Sequence, residues 1–238
     1  MNVISFLPDP VKERLRRRAG TITMRARLQN IRAAGFVPRK IIDGGAFHGE
    51  WAKMAASIFP EASFLLIEPQ AHLEKQLAAL CRTLPSARLR SALLGRARGN
   101  AHFVIDESNS RIVSDPKGWP ASRLVSIGTE TLADVVVAED FVDCDFLKLD
   151  LQGHELEALA GAGPFFGSVE VILLECSWLP IGPVPIAAEV IATVSAHGYR
   201  LYDVMGFNYR PFDRALWQTD FIFVRQDSSL FAHQHDWS

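Results

Sequence analysis

The stretch Lys40-Ile41-Ile42-Asp43-Gly44-Gly45-Ala46-Phe47-His48-Gly49 decides how this chain is read. A short apolar strand runs into an aspartate, then a turn of small residues closed by Gly49, then the start of a helix. Glycine permits a positive φ and has no Cβ to collide with a ligand. The helix that follows aims its free N–H groups at the same space. A dinucleotide fingerprint needs G-x-G-x-x-G and a phosphate loop needs G-x-x-x-x-G-K-[ST]; Gly44, Gly45 and Gly49 satisfy neither, and no Lys follows Gly49. Asp43 opens the loop with a charge that repels pyrophosphate and suits a cation. That combination points to S-adenosylmethionine, whose methionine end carries an ammonium and a sulfonium.

Working outward, apolar runs alternate with helical ones. Lys40–Asp43 reads as a first strand, Glu50–Phe59 as a helix, Ser63–Glu68 as a second strand, and 71–83 as its helix. Arg88–Leu94 reads as a third strand. Residues 99–127 differ in character: strand-like Ala101–Ile105 is followed by Glu107-Ser108-Asn109-Ser110 and then Pro116, Gly118 and Pro120, a loop-rich ribbon over the sheet. A short helix over 130–137, a strand at Asp145–Asp150 with a helix at His154–Gly161, and a strand at Val169–Glu175 follow. The helix Ile186–His197 is closed by Gly198, and Tyr199–Val204 and Asp220–Arg225 form a last, antiparallel pair. Strands separated by helices imply a parallel, doubly wound sheet.

Ligands of such sheets sit outside the carboxyl ends of the strands. Asp43, Glu68 and Asp150 each end an apolar strand. Glu68 follows Asp43 by about the offset expected of a carboxylate that binds a ribose diol, and one carboxylate can accept from both hydroxyls. Ser108, Asn109 and Ser110, with Trp119, lie on the ribbon expected to overhang the site, while Trp178, Asn208 and Tyr209 follow the later strands and suit the opposite wall.

The first loop, Leu66-Ile67-Glu68-Pro69, and above all Leu147-Lys148-Leu149-Asp150-Leu151-Gln152-Gly153-His154-Glu155-Leu156 followed by Leu159-Ala160-Gly161-Ala162 resemble FkbM-type methyltransferases. Leu174-Glu175 and the segment from Thr219 to Arg225 fit the same pattern, so the resemblance spans roughly residues 38–226. Phe47 stands where the family commonly has Asn, and Gln152 where Glu is commoner. The resemblance implies a class I methyltransferase fold: an α/β, Rossmann-like, seven-stranded and mostly parallel doubly wound sheet with its last strand antiparallel. It implies S-adenosylmethionine as cofactor and a hydroxyl oxygen as acceptor. Asp43 and the loop backbone at Gly45, Ala46 and Gly49 would hold the methionine portion, and Glu68 with Pro69 the ribose. Leu93 and Leu94 would wall the adenine, and Asp150 would face the transferred methyl. Asp150 and His154 are then the candidate catalytic residues. Ser108, Asn109, Gln152, His154 and Glu175 are the candidate acceptor contacts, and Glu155 bonds back to its own loop. A divalent ion between Asp150 and Glu175 is the weaker reading, because the chain has no recognisable metal-ligand spacing.

Hydrophobic content of 48% and charged content of 22% are those of an ordinary globular protein. The net charge of −2 conceals an asymmetry: residues 1–40 hold ten Lys and Arg against Asp9 and Glu13, and the remainder is acidic. The expected division is a basic, helical arm over 1–37, a methyltransferase domain over 38–226 and a tail over 227–238. Such an arm could meet nucleic acid, an anionic membrane surface or its own acidic domain. The absence of any base-reading motif argues against nucleic acid and favours docking on the domain. Cys81, Cys144 and Cys176 cannot all pair and form no C-x-x-C, a reduced and cytoplasmic pattern. No apolar run suggests a membrane span. The expected partner is a small-molecule or glycan acceptor, with self-association left open. Two other classes compete: an NAD-dependent oxidoreductase or epimerase, opposed by the missing fingerprint, and a non-catalytic binding module that uses the basic arm.

Overall fold

The computed structural model describes residues 23–84, 86–180 and 184–232. Its framework is a seven-stranded sheet. The strands that build it are β1 (Lys40–Gly44), β2 (Ser63–Ile67), β3 (Ala87–Arg90), β8 (Phe146–Leu149), β9 (Val171–Ser177), β10 (Tyr199–Tyr209) and β11 (Leu216–Arg225). Their order across the sheet is β10-β11-β9-β8-β1-β2-β3. Pairing is parallel from β3 through β9, whereas β11 slots between β9 and β10 and runs antiparallel to both.

The strand sequences are near-continuous apolar runs because both faces of the sheet are covered. Alternate residues go to opposite cores. Ile42, Leu65, Leu147, Ile172 and Phe221 belong to one, and Ile41, Phe64, Phe146, Leu173 and Ile222 to the other. The second core is closed by α1 (Met24–Ala33), α2 (Glu50–Ile58) and α3 (Glu74–Cys81). The first is closed by α4 (Leu132–Ala138), α5 (Glu155–Ala160) and α6 (Ala187–Ala196). Thr131 caps α4 by accepting from the N–H of Asp134 at 3.1 Å, and Gly198 follows α6 at φ 88°. Cys144 and Cys176 are buried free thiols.

Two expectations need correction. The run Arg88–Leu94 is not one strand. Its first part pairs with β2 as β3, but β4 (Leu93–Leu94) turns away to pair with Thr129 and Glu130. There it joins a second sheet with β5 (Gly99–Val104), β6 (Arg111–Val113) and β7 (Leu124–Glu130), in the order β4-β7-β5-β6. The ribbon over the main sheet is therefore itself an ordered sheet, and its end at 124–130 is strand, with the expected helix following at 132.

Of the basic arm, residues 1–22 lie outside the described residues. α1 packs on the domain: Leu28 and Ile31 are buried, Arg27 pairs with Asp203 at 3.0 Å, and Arg25 donates to Ser57 Oγ at 2.8 Å. Of the tail, residues 233–238 lie outside the described residues, and Ser228 donates to Glu170 Oε1 at 2.6 Å. Among the described residues no helix is long and apolar enough to cross a membrane.

Candidate active site

The carboxyl ends of β1, β2 and β8 open under the second sheet, and a cavity of about 310 Å³ lies there. Ala92, Leu93, Leu94, Phe103 and Ile67 form its apolar side, and Glu68, Pro69 and Gln70 one end. Gly45, Phe47, Asp150, Gln152 and His154 border it toward the loops, with Ser108, Asn109 and Glu175 also in its wall. Most of the residues expected from sequence thus meet around one space.

Glu68 is held by the backbone on both oxygens. Oε2 accepts from the N–H of Phe47 at 2.8 Å and Oε1 from that of Gln70 at 3.1 Å. Burial raises its pKa against the pull of these two donors. Each oxygen keeps a lone pair for a further donor. Phe47 adopts φ 46°, a left-handed conformation that Asn takes more readily than a bulky residue.

Asp43, Ala46 and Gly49 lie outside the cavity wall. Asp43 is wholly buried, with its Oδ1 2.9 Å from the ammonium of Lys148. Lys148 also donates to the carbonyl of Gly45 at 3.0 Å. Burial disfavours the lysine charge, but Asp43, Asp150 and Asp220 outweigh it and raise the pKa. Burial raises the Asp43 carboxyl despite its lysine. Asp43 thus shapes the loop from beneath. Gly49, at φ 77°, makes room for a neighbouring helix rather than for a ligand: a Cβ there would stand 2.1 Å from Leu80. Gly45, at φ 73°, does face the cavity, and its missing Cβ leaves space for the carbonyl of Asp150, which would lie 1.9 Å away.

A second cavity, of about 580 Å³, adjoins the first and shares Asn109, Ile112, Gln152, His154, Glu175, Trp217 and Gln218 with it. Trp119 lines this one. At the common lip, the amide of Gln152 donates to Asp150 Oδ1 at 2.9 Å and to Glu175 Oε2 at 3.0 Å, and Gln218 donates to the same Oε2 at 3.1 Å. Burial, then the charges of Asp150, Asp220 and Glu155, push Glu175 up to about 9. Burial and Asp150 push Asp220 up to about 7. Glu155 accepts from the N–H groups of Leu151 and Gly153 at 2.7 and 3.2 Å, and burial carries it to about 7. Burial lowers the pKa of His154 against the opposing field of Glu157, so the imidazole is neutral near pH 7. Among the described residues no group of three or more His, Cys, Asp or Glu could hold a metal ion.

The opposite wall differs from expectation. Trp178, Asn208 and Tyr209 line neither cavity; Trp217 and Gln218 do. Trp178 instead donates its indole N–H to Thr219 Oγ1 at 2.8 Å. Gln70, Phe103 and Ser110 also belong to the wall, and the Ser110 hydroxyl lies 3.0 Å from Gln70 Oε1, which ties the ribbon to the strand end. Gln70 had a signal in its place beside Glu68-Pro69; Trp217 and Gln218 had none.

The family model of the methyltransferase FkbM domain matches residues 43–201. The chain belongs to the FkbM methyltransferase family. Its parallel-dominated α/β sheet with one antiparallel region is Rossmann-like, and the family's methyl donor is S-adenosylmethionine. Among solved structures, an FkbM methyltransferase from Methylobacillus flagellatus KT is similar at 15% identity and a TM-score of 0.49, over 77% of this chain and 43% of that one. This FkbM chain thus spans less than half the length of that protein. A precorrin-6y C5,15-methyltransferase from Geobacter metallireducens GS-15 is similar at 11% identity and a TM-score of 0.47, over 87% and 94% of the two chains. The fibrillarin of Aeropyrum pernix, solved with S-adenosyl-L-methionine, is similar at 13% identity and a TM-score of 0.47, over 80% and 68%. No curated protein matches the sequence.

Proposed function

We propose that this FkbM methyltransferase moves a methyl group from S-adenosylmethionine to a hydroxyl oxygen of a small molecule, sugar or glycan. The observation that carries the reading is the pair of adjoining cavities that meet at Gln152, His154 and Glu175. One has the shape and chemistry of a nucleoside site. The other is larger and somewhat more polar.

The residues of the first cavity suit the cofactor. The slot of Ala92, Leu93, Leu94 and Phe103 accepts a flat heteroaromatic ring. Glu68, pre-set by two backbone donors, accepts from the ribose diol. Gly45 lets the backbone approach the methionine end, and Asp150 offers one carboxylate to the cationic sulfur. Asp43, with Ala46 and Gly49, sets the loop's form by way of Lys148.

Bound S-adenosylmethionine supplies an electrophilic methyl carbon on a sulfonium that leaves as a neutral thioether. The protein's part is alignment, which accounts for much of the rate in such displacements, and removal of the acceptor's proton. His154, neutral near pH 7 and facing both cavities, takes that proton as the C–O bond forms. Asp150 is the second candidate for that role, from the same lip. Asn109 and Gln152 offer hydrogen bonds to a hydroxylated acceptor, and Trp119 and Trp217 offer flat apolar faces; Ser108 lines only the first cavity.

Calorimetric titration tests the reading. S-adenosylhomocysteine should bind and NAD should not. Glu68→Ala removes hydrogen bonds to a charged acceptor worth about 1.5–3 kcal/mol each, so affinity should fall roughly a hundredfold or more. Affinity kept within about threefold would remove Glu68 from the ribose.

A further inference from the structure

The acceptor side of the site is bordered by a projection that neither core explains. β11 leaves β9 at Gln218↔Ser177, but β10 and β11 stay paired to Tyr209↔Leu216, and residues 210–215 turn beyond. Gly206 makes the bend: at φ 67° it passes Asp220, whose Oδ2 a Cβ would meet at 2.1 Å. From Gly206 to Tyr209 four successive residues are exposed, so both faces of the strand end are open. Phe207 and Tyr209 are about half exposed, and Phe212 at the turn is 90% exposed.

Three aromatic rings on one overhang mark an interaction site. Their company says with what. Arg210 lies over the Phe212 ring at 5.9 Å and pairs with Asp213, and Arg214 makes no ion pair among the described residues, which leaves the tip cationic. Aromatic rings beside arginines suit the headgroup boundary of an anionic bilayer.

We propose that the hairpin tip over 206–215 docks on an anionic lipid surface and so holds the acceptor cavity beside the bilayer. Trp217 and Gln218, next to the tip on β11, line that cavity. Only this placement rests on the methyl-transfer reading; the docking itself does not.

The test is co-sedimentation of the full-length protein with mixed phosphatidylcholine and phosphatidylglycerol vesicles. The wild type should pellet with them and much less with phosphatidylcholine alone. The triple variant Phe207→Ser, Tyr209→Ser, Phe212→Ser should lose about tenfold or more in partition while its S-adenosylhomocysteine affinity stays unchanged. If the triple variant unfolds, Phe212→Ser alone, at a side chain that is 90% exposed, should lose about threefold. Three results overturn the proposal: a wild type that ignores the mixed vesicles, variants that bind as the wild type does, or a wild-type dimer that the variants turn into monomers. None of them touches the methyl-transfer reading, which stands or falls on cofactor titration.

Discussion

Lys148→Met should be costly, and Asp43→Asn made in the same molecule should recover much of the loss. The ammonium lies 2.9 Å from Asp43 Oδ1, 3.0 Å from the Gly45 carbonyl and 3.4 Å from that of Gly44. Methionine matches the lysine stem, so packing is nearly kept, but the wholly buried Asp43 carboxylate is left without its cation. Removing one partner of a buried pair costs about 3–5 kcal/mol. In a chain of this length that is a fall in melting temperature of roughly 6–20 °C. Asp43→Asn alone should cost less, because Lys148 keeps Asp150 at 3.9 Å. The double variant buries two neutral groups, so its loss should fall short of the sum by up to about 3 kcal/mol. Urea unfolding of all four proteins measures the cycle. In Lys148→Met the Asp43 carboxyl, already raised by burial, rises further. A raised carboxyl stabilises most below its unfolded pKa and loses that contribution as pH rises, so the deficit should shrink toward acid. Losses that add to within about 0.5 kcal/mol would refute the pair as a unit. Asp43→Asn with unchanged stability but no cofactor binding would put Asp43 back in contact with the ligand.

The acidic lip makes stability depend on pH. Glu175 is pushed from 4.5 up to about 9, and Asp220 and Glu155 to about 7. Across that window the folded protein holds more protons than the unfolded chain, so stability should fall from pH 5 to pH 9. Glu175→Gln should flatten the upper half of the urea-midpoint profile, and an unchanged slope would remove the protonated Glu175. Gly45→Ala places a Cβ 1.9 Å from the Asp150 carbonyl, whereas Gly163→Ala, at φ 56°, meets nothing within 4 Å. The second should cost only its backbone strain, about 1 kcal/mol, and the first several times that together with cofactor affinity; equal melting temperatures would refute the close approach.

Much of the frame was legible because its signals are local. Apolar runs of strand length and the helices between them announce a covered parallel sheet, and carboxylates where those runs stop mark its ligand-binding edge. Glu68 and Asp150 could be picked out for that reason, Gln152 and His154 through the family pattern, and the cavity brings all four together. Where the run was ambiguous the reading failed. Arg88–Leu94 is apolar throughout its second half, yet Ala92 and the short β4 leave the main sheet for the other one. Period alone does not say which sheet an apolar pair joins.

What the sequence by itself determined, then, is the element order, the family pattern and the strand-end carboxylates, since each depends on residues close together in the chain. The tertiary structure alone decided what each charge faces. Asp43 reads as a ligand contact until Lys148, 105 positions later, is seen beneath it. Trp217 and Gln218 enter the site only because β11 inserts antiparallel between β9 and β10, which turns the start of that strand toward the ligand-binding edge. Such neighbours follow from the crossover of distant strands and from the exclusion of water between them, and neither leaves a periodic trace in the chain.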